Sequence, residues 1–356
     1  MKKVLTIGSA TQDIFIHYKN TPTTKIPEDL CSYILVAEGC KIEVDDIHYT
    51  VGGGATNSAT SFKKLGFDVA SFFQIGTDHE GTFITNELKK HAINLELICS
   101  TNAHKTGRSF ILPSPSGNQP ILAYRGANAY IEQKNLPLSK LNLFDFLYIT
   151  SLSGISAESL LPLAKKAHEL NIFVATNPGK SQLADGIATL KKALPYISLF
   201  SCNTLEACQL MHSLKPSLKN NFPGSNDMPT LLQKPLSYKE ITFDLAAYFH
   251  TIHKMGPSIV VVTNGAEGVY VSDAKTIYFQ PTTSAKVVST VGAGDAFSST
   301  FVGCIQQGLS LQKALKYGVA NAASVIGALG PQQGLLSLAE LEKKAHALPN
   351  AEEFKL

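Results

Sequence analysis

The segment STVGAGDAF, at residues 289–297, is the part of the sequence that most limits the choice of fold. It follows a strand-like apolar run, and its small residues 292–294 precede a helical pattern whose apolar face includes Phe297 and Phe301. Small residues before a helix leave backbone N–H groups uncovered, and the helix dipole favours negative charge at that end. The segment therefore predicts an anion site that could stabilise a phosphoryl group in transfer.

Asp295 stands at the mouth of this predicted anion site. A carboxylate beside phosphate-binding amides raises the electrostatic energy of a bound phosphate, so it needs a compensating purpose. Accepting the proton of an attacking hydroxyl is one such purpose, but Asp is also a common helix cap. The segment does not match the standard nucleotide motifs, since no Lys follows the glycines and Phe297 occupies the place of a third glycine.

Working outward, short β-branched apolar runs alternate with amphipathic helical patterns along most of the chain. This alternation is typical of a largely parallel sheet covered by helices. The runs predict buried strands at residues 4–7, 69–73, 146–150, 172–176, 197–201 and 259–263. A helical stretch at residues 295–329 is broken near residues 308–310, where Gly and Ser predict a turn and a new cap.

Three regions depart from this rhythm. Residues near 41–50 and 106–125 alternate apolar and polar side chains, as half-exposed antiparallel strands do. Together they could form a small second sheet. This sheet would be either a lid over a site or a decorative surface sheet. Residues 212–239 are rich in Pro, Asn, Ser and Lys without a period, which predicts a long loop or a partly disordered insertion. With no internal repeat or clean linker, we expect a single main domain over residues 1–356.

Bulk composition narrows the class of function. Lys and Arg number 31 against 28 Asp and Glu in 356 residues, a net charge of +3 that predicts no nucleic-acid partner. No apolar run approaches the roughly 18 residues of a membrane helix, so no membrane partner is expected. The 6 cysteines include no Cys-x-x-Cys pair, which favours a reduced compartment. We therefore expect a cytoplasmic protein.

A second glycine cluster, GGGATNSA, spans residues 52–59. Glycines let the backbone approach a ligand closely, and Asn57, one turn into the following helix, offers a donor and an acceptor to hydroxyls. Asp13 lies just beyond the first predicted strand, at the edge where open α/β sheets bind ligands, and its carboxylate could accept hydrogen bonds from neighbouring hydroxyls. The alternative is that both features are tight turns, which is the commoner reason for such glycines.

Two further features follow strands in the second half of the chain. Asn203 can cap a helix with Glu206 three residues later, as in a capping box. Near phosphates, the Glu206 carboxylate would need Mg²⁺ or its water to offset repulsion. The sequence VTNGAEG at residues 262–268 predicts a strand and a glycine-bearing turn that could border an adenine or a phosphate.

In combination, these motifs resemble those of the ribokinase-like carbohydrate kinases, also called the phosphofructokinase B type. The glycine cluster, the Asn203 and Glu206 pair, the turn at residues 263–268 and the GAGD segment occur in that family's order. Each motif alone is unspecific, but four in order at suitable spacing are specific. The resemblance extends from Ile7 to about Gly334, and RGAN at residues 125–128 is similar to the family's sugar-kinase branch.

The resemblance implies a three-layer α/β/α sandwich with a mostly parallel central sheet and a small β-sheet lid. It also implies transfer of a phosphoryl group from ATP, with Mg²⁺, to a hydroxyl of a sugar or sugar-like molecule. By matching positions, the catalytic residues would be Asp295 as base and Gly292, Ala293 and Gly294 as anion hole. The acceptor would be bound by Asp13, Gly53, Gly54 and Asn57. ATP would be bound by Asn203, Glu206, Thr263, Gly265, Gly268 and Asn321, with Glu206 also holding Mg²⁺ through water.

Three positions depart from the family's pattern. Ser289 stands where an Asp usually helps to hold a monovalent cation, Thr11 replaces an Asn that grips ribose, and Gly54 replaces a Lys typical of ribokinase proper. A hydroxyl balances K⁺ less well than a carboxylate, so we expect weak activation by K⁺ or none. For the same reasons the resemblance does not identify ribose as the substrate.

Three functions stay open at this point. The leading hypothesis is a kinase for a sugar or for a hydroxyl of a sugar phosphate. The nearest alternative is an adenosine-like nucleoside kinase, because related members share Gly-Gly-x-x-x-Asn-Ser at the acceptor loop. The third is a ligand-sensing relative without activity, against which the intact Asp295 and residues 292–294 argue. Family members often pair through their lid strands, which implies a homodimer.

Overall fold

The computed structural model describes residues 1–18, 23–25, 32–216 and 227–356. Its strands are β1 Lys3–Ile7, β2 Thr11–His17, β3 Thr23–Lys25, β4 Ser32–Ile34, β5 Asp46–Gly52, β6 Asp68–Phe72, β7 Gln74–Gly76, β8 Cys99–Thr101, β9 Gly107–Ile111, β10 Ile121–Tyr124, β11 Phe146–Ile149, β12 Phe173–Thr176, β13 Leu199–Asn203, β14 Leu236–Tyr238, β15 Ile241–Phe243, β16 Ile259–Thr263, β17 Gly268–Ser272, β18 Thr276–Pro281 and β19 Glu352–Lys355. Its α-helices are α1 Gly54–Lys64, α2 His79–Lys90, α3 Leu160–Glu169, α4 Lys180–Leu183, α5 Ile187–Ala193, α6 Thr204–Leu214, α7 Thr230–Gln233, α8 Leu245–Lys254, α9 Ala293–Gln306, α10 Leu311–Val325 and α11 Leu338–Ala345. No helix within these ranges combines the length and apolar character that a membrane crossing requires.

The central sheet has nine strands in the order β19-β18-β17-β16-β13-β12-β11-β1-β6. The strands from β16 to β6 are parallel, and β17, β18 and β19 extend the sheet in antiparallel fashion. The parallel strands are continuous apolar runs because helices cover both of their faces. Each of the six strands predicted from those runs is present with its ends within two residues of the prediction.

Side chains alternate between two apolar cores, one on each face of the central sheet. In β11, Phe146 and Tyr148 enter the core beneath α1, α9 and α10, whereas Leu147 and Ile149 enter the core beneath α3, α6 and α8. The predicted break between two late helices is also present, since α9 ends at Gln306 and α10 begins at Leu311. The three-layer α/β/α sandwich is thereby confirmed.

A separate four-stranded sheet, which we call the lid sheet, has the order β10-β9-β2-β5. The predicted strand near residues 41–50 starts only at Asp46, and the region near 106–125 is a hairpin of β9 and β10. The strand β2 was not predicted: Asp13 lies in the middle of it, and not in a turn at the edge of the main sheet. Its burial alternates residue by residue, with Asp13 on the buried side, and this charge hides the strand pattern from the sequence.

The prediction of an unstructured insertion at residues 212–239 does not hold for the described part of it. The helix α6 continues to Leu214, and α7 buries Leu231 and Leu232 against the core beneath α8. The backbone N–H of Leu231 also donates to the hydroxyl of Tyr270 at 3.1 Å. Residues 217–226, on which the same prediction falls, lie outside the described residues.

Replacing Leu232 with Ala should lower the free energy of unfolding by about 2–5 kcal/mol, because truncating a packed leucine leaves a cavity. Leu232 is 4% exposed, whereas Leu143, at 57%, provides a matched control whose truncation removes little packing. Urea denaturation of the two variants measures the difference. Equal, small losses would show that α7 contributes nothing to the core.

Candidate active site

Three elements bring the predicted catalytic and acceptor residues together. Asp295 comes from the first turn of α9, Asn57 from the first turn of α1 and Asp13 from the lid sheet. The Asn57 Nδ2 donates to Asp295 Oδ2 at 2.8 Å. The charge of Asp295 also contributes to raising the pKa of Asp13, so the two carboxylates share one electrostatic environment. The structure thus assembles one site from residues up to 282 positions apart in sequence, from Asp13 to Asp295.

The start of α9 is built around glycine. Gly292 is the N-cap with φ 86°, a left-handed conformation that favours glycine, and a Cβ there would overlap Pro331. No side chain caps the helix, and a Cβ on Gly294 would meet no atom within 4 Å. The first-turn amides therefore border open space, as an anion site requires. Of the predicted anion-hole residues, Ala293 is the least free, because its N–H donates to the Thr290 carbonyl at 3.3 Å.

Asp295 itself is half-buried. Burial raises the pKa of its carboxyl group above the usual value, and the hydrogen bond from Asn57 offsets part of that rise. A carboxylate with a raised pKa is a stronger base, so this environment suits proton acceptance better than simple helix capping does.

A glutamine that no sequence motif indicated fixes the orientation of Asn57. The Gln332 Nε2 donates to Asn57 Oδ1 at 3.0 Å and to the Val51 carbonyl at 3.2 Å. The Gln332 Oε1 accepts from Thr60 Oγ1 at 3.0 Å. Because the amide oxygen of Asn57 is occupied by Gln332, its NH₂ group is the end that faces Asp295.

Asp13 is 4% exposed, and its carboxylate is held by neighbours in the lid sheet. Burial raises the pKa of Asp13 to about 6, although hydrogen bonds from Thr11 and Ser109 lower it and the charge of Asp295 adds to the rise. The Thr11 Oγ1 donates to Asp13 Oδ1 at 2.8 Å, so Thr11 helps to orient the Asp13 carboxylate. A Cβ on Gly52 would overlap the Asp13 carboxylate, which makes Gly52 a site residue that the sequence reasoning missed.

The predicted acceptor glycines also have structural reasons to be glycine. Gly53 caps α1 at φ 99°, and a Cβ there would lie 2.5 Å from the Ser9 carbonyl oxygen. The N–H of Gly54 donates to Ser9 Oγ at 3.2 Å, and a Cβ on Gly54 would lie 2.5 Å from Thr150 Oγ1. These two glycines therefore fit the tight-turn interpretation. Contact with an acceptor stays a prediction for both.

Among the residues predicted to bind ATP, Asn203 and Glu206 form the expected capping box at the start of α6. The N–H of Glu206 donates to Asn203 Oδ1, and the N–H of Asn203 donates to Glu206 Oε2, both at 2.9 Å. Burial raises the pKa of Glu206, while the Asn203 N–H and the charge of Lys180 lower it. Lys180 was not predicted as a site residue, because nothing in the sequence relates α4 to α6.

The described ranges contain no group of three or more His, Cys, Asp or Glu side chains that could hold a metal ion by themselves. A single half-buried carboxylate, that of Glu206, fits Mg²⁺ only as one ligand, directly or through water, among others. Mg²⁺ commonly binds in this way, with one or two carboxylates, several waters and substrate phosphates.

The glycine-bearing turn at residues 263–268 is joined to the same edge of the sheet. The Thr204 Oγ1 donates to the Thr263 carbonyl at 3.2 Å, which ties the end of β16 to the start of α6. Gly265 has φ 54° and open space where a Cβ would be, so a ligand can approach it. Gly268 is buried, and a Cβ there would lie 2.6 Å from the Gln280 carbonyl oxygen. Its glycine is therefore required by the pairing of β17 with β18.

Asn321 was expected to border ATP, and its surroundings argue against that contact. It is fully buried in α10, where its Nδ2 donates to Thr300 Oγ1 at 2.6 Å and its Oδ1 accepts from the Leu336 N–H at 3.0 Å. Both ends of the amide are thus used to join α9, α10 and the following segment.

The α/β/α sandwich with its small lid sheet is the fold of the ribokinase-like kinases. The chain belongs to the pfkB family of carbohydrate kinases, which it matches over residues 1–337. It is 26% identical over 353 residues to a ribokinase of Lactococcus lactis subsp. lactis, covering 98% of each chain. The predicted family and enzyme class are thereby confirmed.

Solved structures show the same fold. The Arabidopsis thaliana ribokinase complexed with ribose and ATP has a TM-score of 0.73 at 20% identity, covering 97% of this chain and 98% of its own. The Burkholderia thailandensis nucleoside kinase in complex with inosine has a TM-score of 0.73 at 16% identity, with coverage of 97% and 98%. Sugar and nucleoside kinases share this architecture, so the fold does not distinguish between them.

Replacing Asp13 with Asn should make the protein relatively more stable as the pH rises. A carboxyl group whose pKa rises from 3.8 to about 6 on folding destabilises the native state increasingly above pH 4, and fully above pH 6. Between pH 4 and pH 8 the unfolding free energy of the variant should therefore gain about 2–3 kcal/mol over the wild type. Urea denaturation at both pH values measures this gain. A difference independent of pH would contradict the burial of an ionisable Asp13.

Proposed function

We propose that this chain transfers the γ-phosphoryl group of ATP to a hydroxyl of a sugar, with Asp295 as general base. The observation that carries the proposal is the Asp295 carboxylate, held at 2.8 Å by Asn57 at the uncapped start of α9. A second carboxylate, Asp13, is held in the lid sheet and coupled to it electrostatically. A nucleoside as the acceptor is the second candidate, since a nucleoside also presents ribose hydroxyls.

Each residue has a defined part in this reaction. Asp13 accepts hydrogen bonds from two acceptor hydroxyls and so directs another hydroxyl toward Asp295. Asp295 takes the proton of that hydroxyl as its oxygen attacks the phosphoryl group. The amides at the start of α9 stabilise the negative charge on the group in transfer. Mg²⁺ would supply charge neutralisation at the nucleotide phosphates, and Glu206 is the residue that fits to hold it through water.

The electrostatics of the site favour a neutral acceptor. Asp13 and Asp295 both carry negative charge when ionised, and their mutual repulsion already contributes to the raised pKa of Asp13. A phosphate on the acceptor would add repulsion in a partly buried site, where charges are weakly screened. The negative charge of the site therefore favours a free sugar or a nucleoside over a sugar phosphate.

Packing in the lid sheet favours a sugar over a nucleoside. A nucleobase needs an exposed apolar or aromatic surface against which to stack. Phe15 and Ile111, which lie next to one another in the lid and on the same face as Asp13, are fully buried and offer no such surface. Polar groups, including Ser109 and Thr11 beside Asp13, are better suited to a hydroxylated ring.

Replacing Asp295 with Asn should lower kcat by roughly 10²-fold or more, because general-base catalysis typically supplies that much. The amide keeps the shape of the side chain, so the melting temperature and the KM for ATP should change little. Steady-state kinetics at saturating acceptor measure the effect. A variant with near wild-type kcat would eliminate Asp295 as the base.

A matched set of acceptors tests the substrate class. ADP release should be fastest with ribose or another free sugar, slower with adenosine, and slowest with ribose 5-phosphate, because of the added charge. The same series with Asp13→Ala should raise the KM for the preferred acceptor by about 10- to 100-fold, at roughly 1.5–3 kcal/mol for each charge-assisted bond. If only phosphorylated sugars were turned over, the proposed preference for a neutral acceptor would be wrong.

We also propose a homodimer that forms through the outer face of the lid sheet. The register aligns Leu122, Phe110, Ile14 and Tyr49 in one row across all four strands. Leu122, Phe110 and Tyr49 are between 37% and 60% exposed. An exposed apolar row of this kind on a sheet is typical of an interaction surface.

Sedimentation velocity at micromolar concentration tests the pairing of the lids. The wild type should sediment as a dimer and Leu122→Glu as a monomer, because a charge in the row would be desolvated on association. Leu143→Glu is the control, since Leu143 is similarly exposed but lies outside the lid sheet. A wild type that remains monomeric would rule this interface out.

A further inference from the structure

The tip of the lid hairpin contacts the segment that leads into the anion site. Residues 112–120 connect β9 to β10, and their tip reaches residues 287–290. The Thr290 N–H donates to the Gly117 carbonyl at 3.1 Å, and the Thr290 hydroxyl lies 3.3 Å from the same oxygen. The Ser289 Oγ donates to Gln119 Oε1 at 2.6 Å. The lid is therefore hydrogen-bonded to the chain only a few residues before the start of α9.

The conformation of the tip suits this contact. Gly117 is buried with φ 75°, and a Cβ there would lie 2.6 Å from Val287 Cγ1. Glycine is therefore required both by the turn and by the close approach of the two segments. Within the tip, the Gly117 N–H donates to the Ser114 carbonyl at 3.1 Å, and the Asn118 N–H donates to Ser116 Oγ at 3.3 Å.

Ser289 links the tip to the anion site. It is 1% exposed, and its hydroxyl accepts from the Val291 N–H at 3.3 Å while it donates to Gln119. On its other side, the N–H groups of Val288 and Ser289 donate to the Ile326 carbonyl at 2.7 and 3.2 Å. The chain is thus held between α10 and the lid just before it turns at Gly292.

The other end of the same hairpin contacts Asp13, the residue proposed to bind the acceptor. Ser109, in β9, is paired in register with Asp13 and lowers the pKa of that residue through a hydrogen bond. One continuous piece of chain, residues 109–119, therefore runs from the acceptor carboxylate to Ser289.

We propose that Gln119 and Ser289 form a latch through which the lid holds the anion site in the geometry required for phosphoryl transfer. Both are positioning residues, because they act through the backbone of residues 289–294 and not on reacting atoms. The inference rests on the proposed function of this site. Its physical basis is that this part-buried hydrogen bond, together with the bond from Thr290 to Gly117, restricts the positions that the two segments can take.

Kinetics of a double-mutant cycle test the latch. Ser289→Ala and Gln119→Met each remove one partner with little change in volume, and each should lower kcat by about 5- to 10-fold, the usual effect of one lost hydrogen bond. The KM values for ATP and acceptor should stay within about 2-fold. The double variant should be no slower than Ser289→Ala, because that change already removes the bond to Gln119 along with the one from the Val291 N–H.

Gln312→Met is the matched control. Gln312 is also half-buried, and its Nε2 donates to Glu353 Oε1 at 2.8 Å, but it lies at the start of α10 away from the lid. This variant should retain wild-type kcat. Effects on kcat that add in the double variant, or a loss confined to the KM for ATP, would overturn the latch.

Hydrogen exchange separates failure of the latch from failure of the proposed function. Amides of residues 289–294 should exchange about 10-fold faster in Gln119→Met than in the wild type, if the loss of one such bond is fully expressed in local opening. This readout needs no turnover. If the wild type is active and depends on Asp295, but exchange is unchanged in Gln119→Met, the latch is disproved and the proposed reaction stands. If the wild type is inactive but exchange is faster in the variant, the proposed reaction is disproved and the contact between the two segments stands.

Discussion

The hydrogen bond between Asn57 and Asp295 is the interaction on which the geometry of this site depends. It joins the first turns of α1 and α9, so the glycine cluster and the anion site keep a fixed separation. Lower down the same two helices, Ser299 Oγ donates to Ser61 Oγ at 2.7 Å. Because burial disfavours the charged form of Asp295, the hydrogen bond from the Asn57 amide is what favours an ionised carboxylate there. Gln332 then keeps that amide in the required orientation.

The lid sheet contributes a carboxylate to the candidate site and contacts the segment before α9. It carries Asp13, whose raised pKa reflects burial together with the charge of Asp295. Through its hairpin it also contacts Ser289 and Thr290, which precede the anion site. In the proposed reaction, acceptor recognition and phosphoryl stabilisation would therefore depend on the same small sheet.

The sequence was sufficient for features that local patterns determine. Parallel strands are buried on both faces, so their continuous apolar runs predicted them correctly. The spacing of Asn203 and Glu206 likewise predicted the capping box of α6. Prediction from the sequence failed where a residue type is unusual for its burial. The buried charge of Asp13 broke the apolar pattern of β2, and the Pro- and Asn-rich composition around α7 led to the prediction of a loop where two leucines are buried. Gln332 was missed, and Asn321 was assigned to ATP although both ends of its amide bond within the protein, because the partners of both residues come from remote elements.

In the proposed reaction, a hydroxyl acceptor held by Asp13 receives the γ-phosphoryl group of ATP with Asp295 as base. Phosphorus NMR of the protein with MgATP and ribose observes that transfer directly. We expect a new phosphomonoester resonance, coupled to protons of the sugar, that grows in equal amount with ADP and is absent with Asp295→Asn. Formation of ADP with inorganic phosphate alone, or of the same sugar phosphate by Asp295→Asn at the wild-type rate, would contradict it.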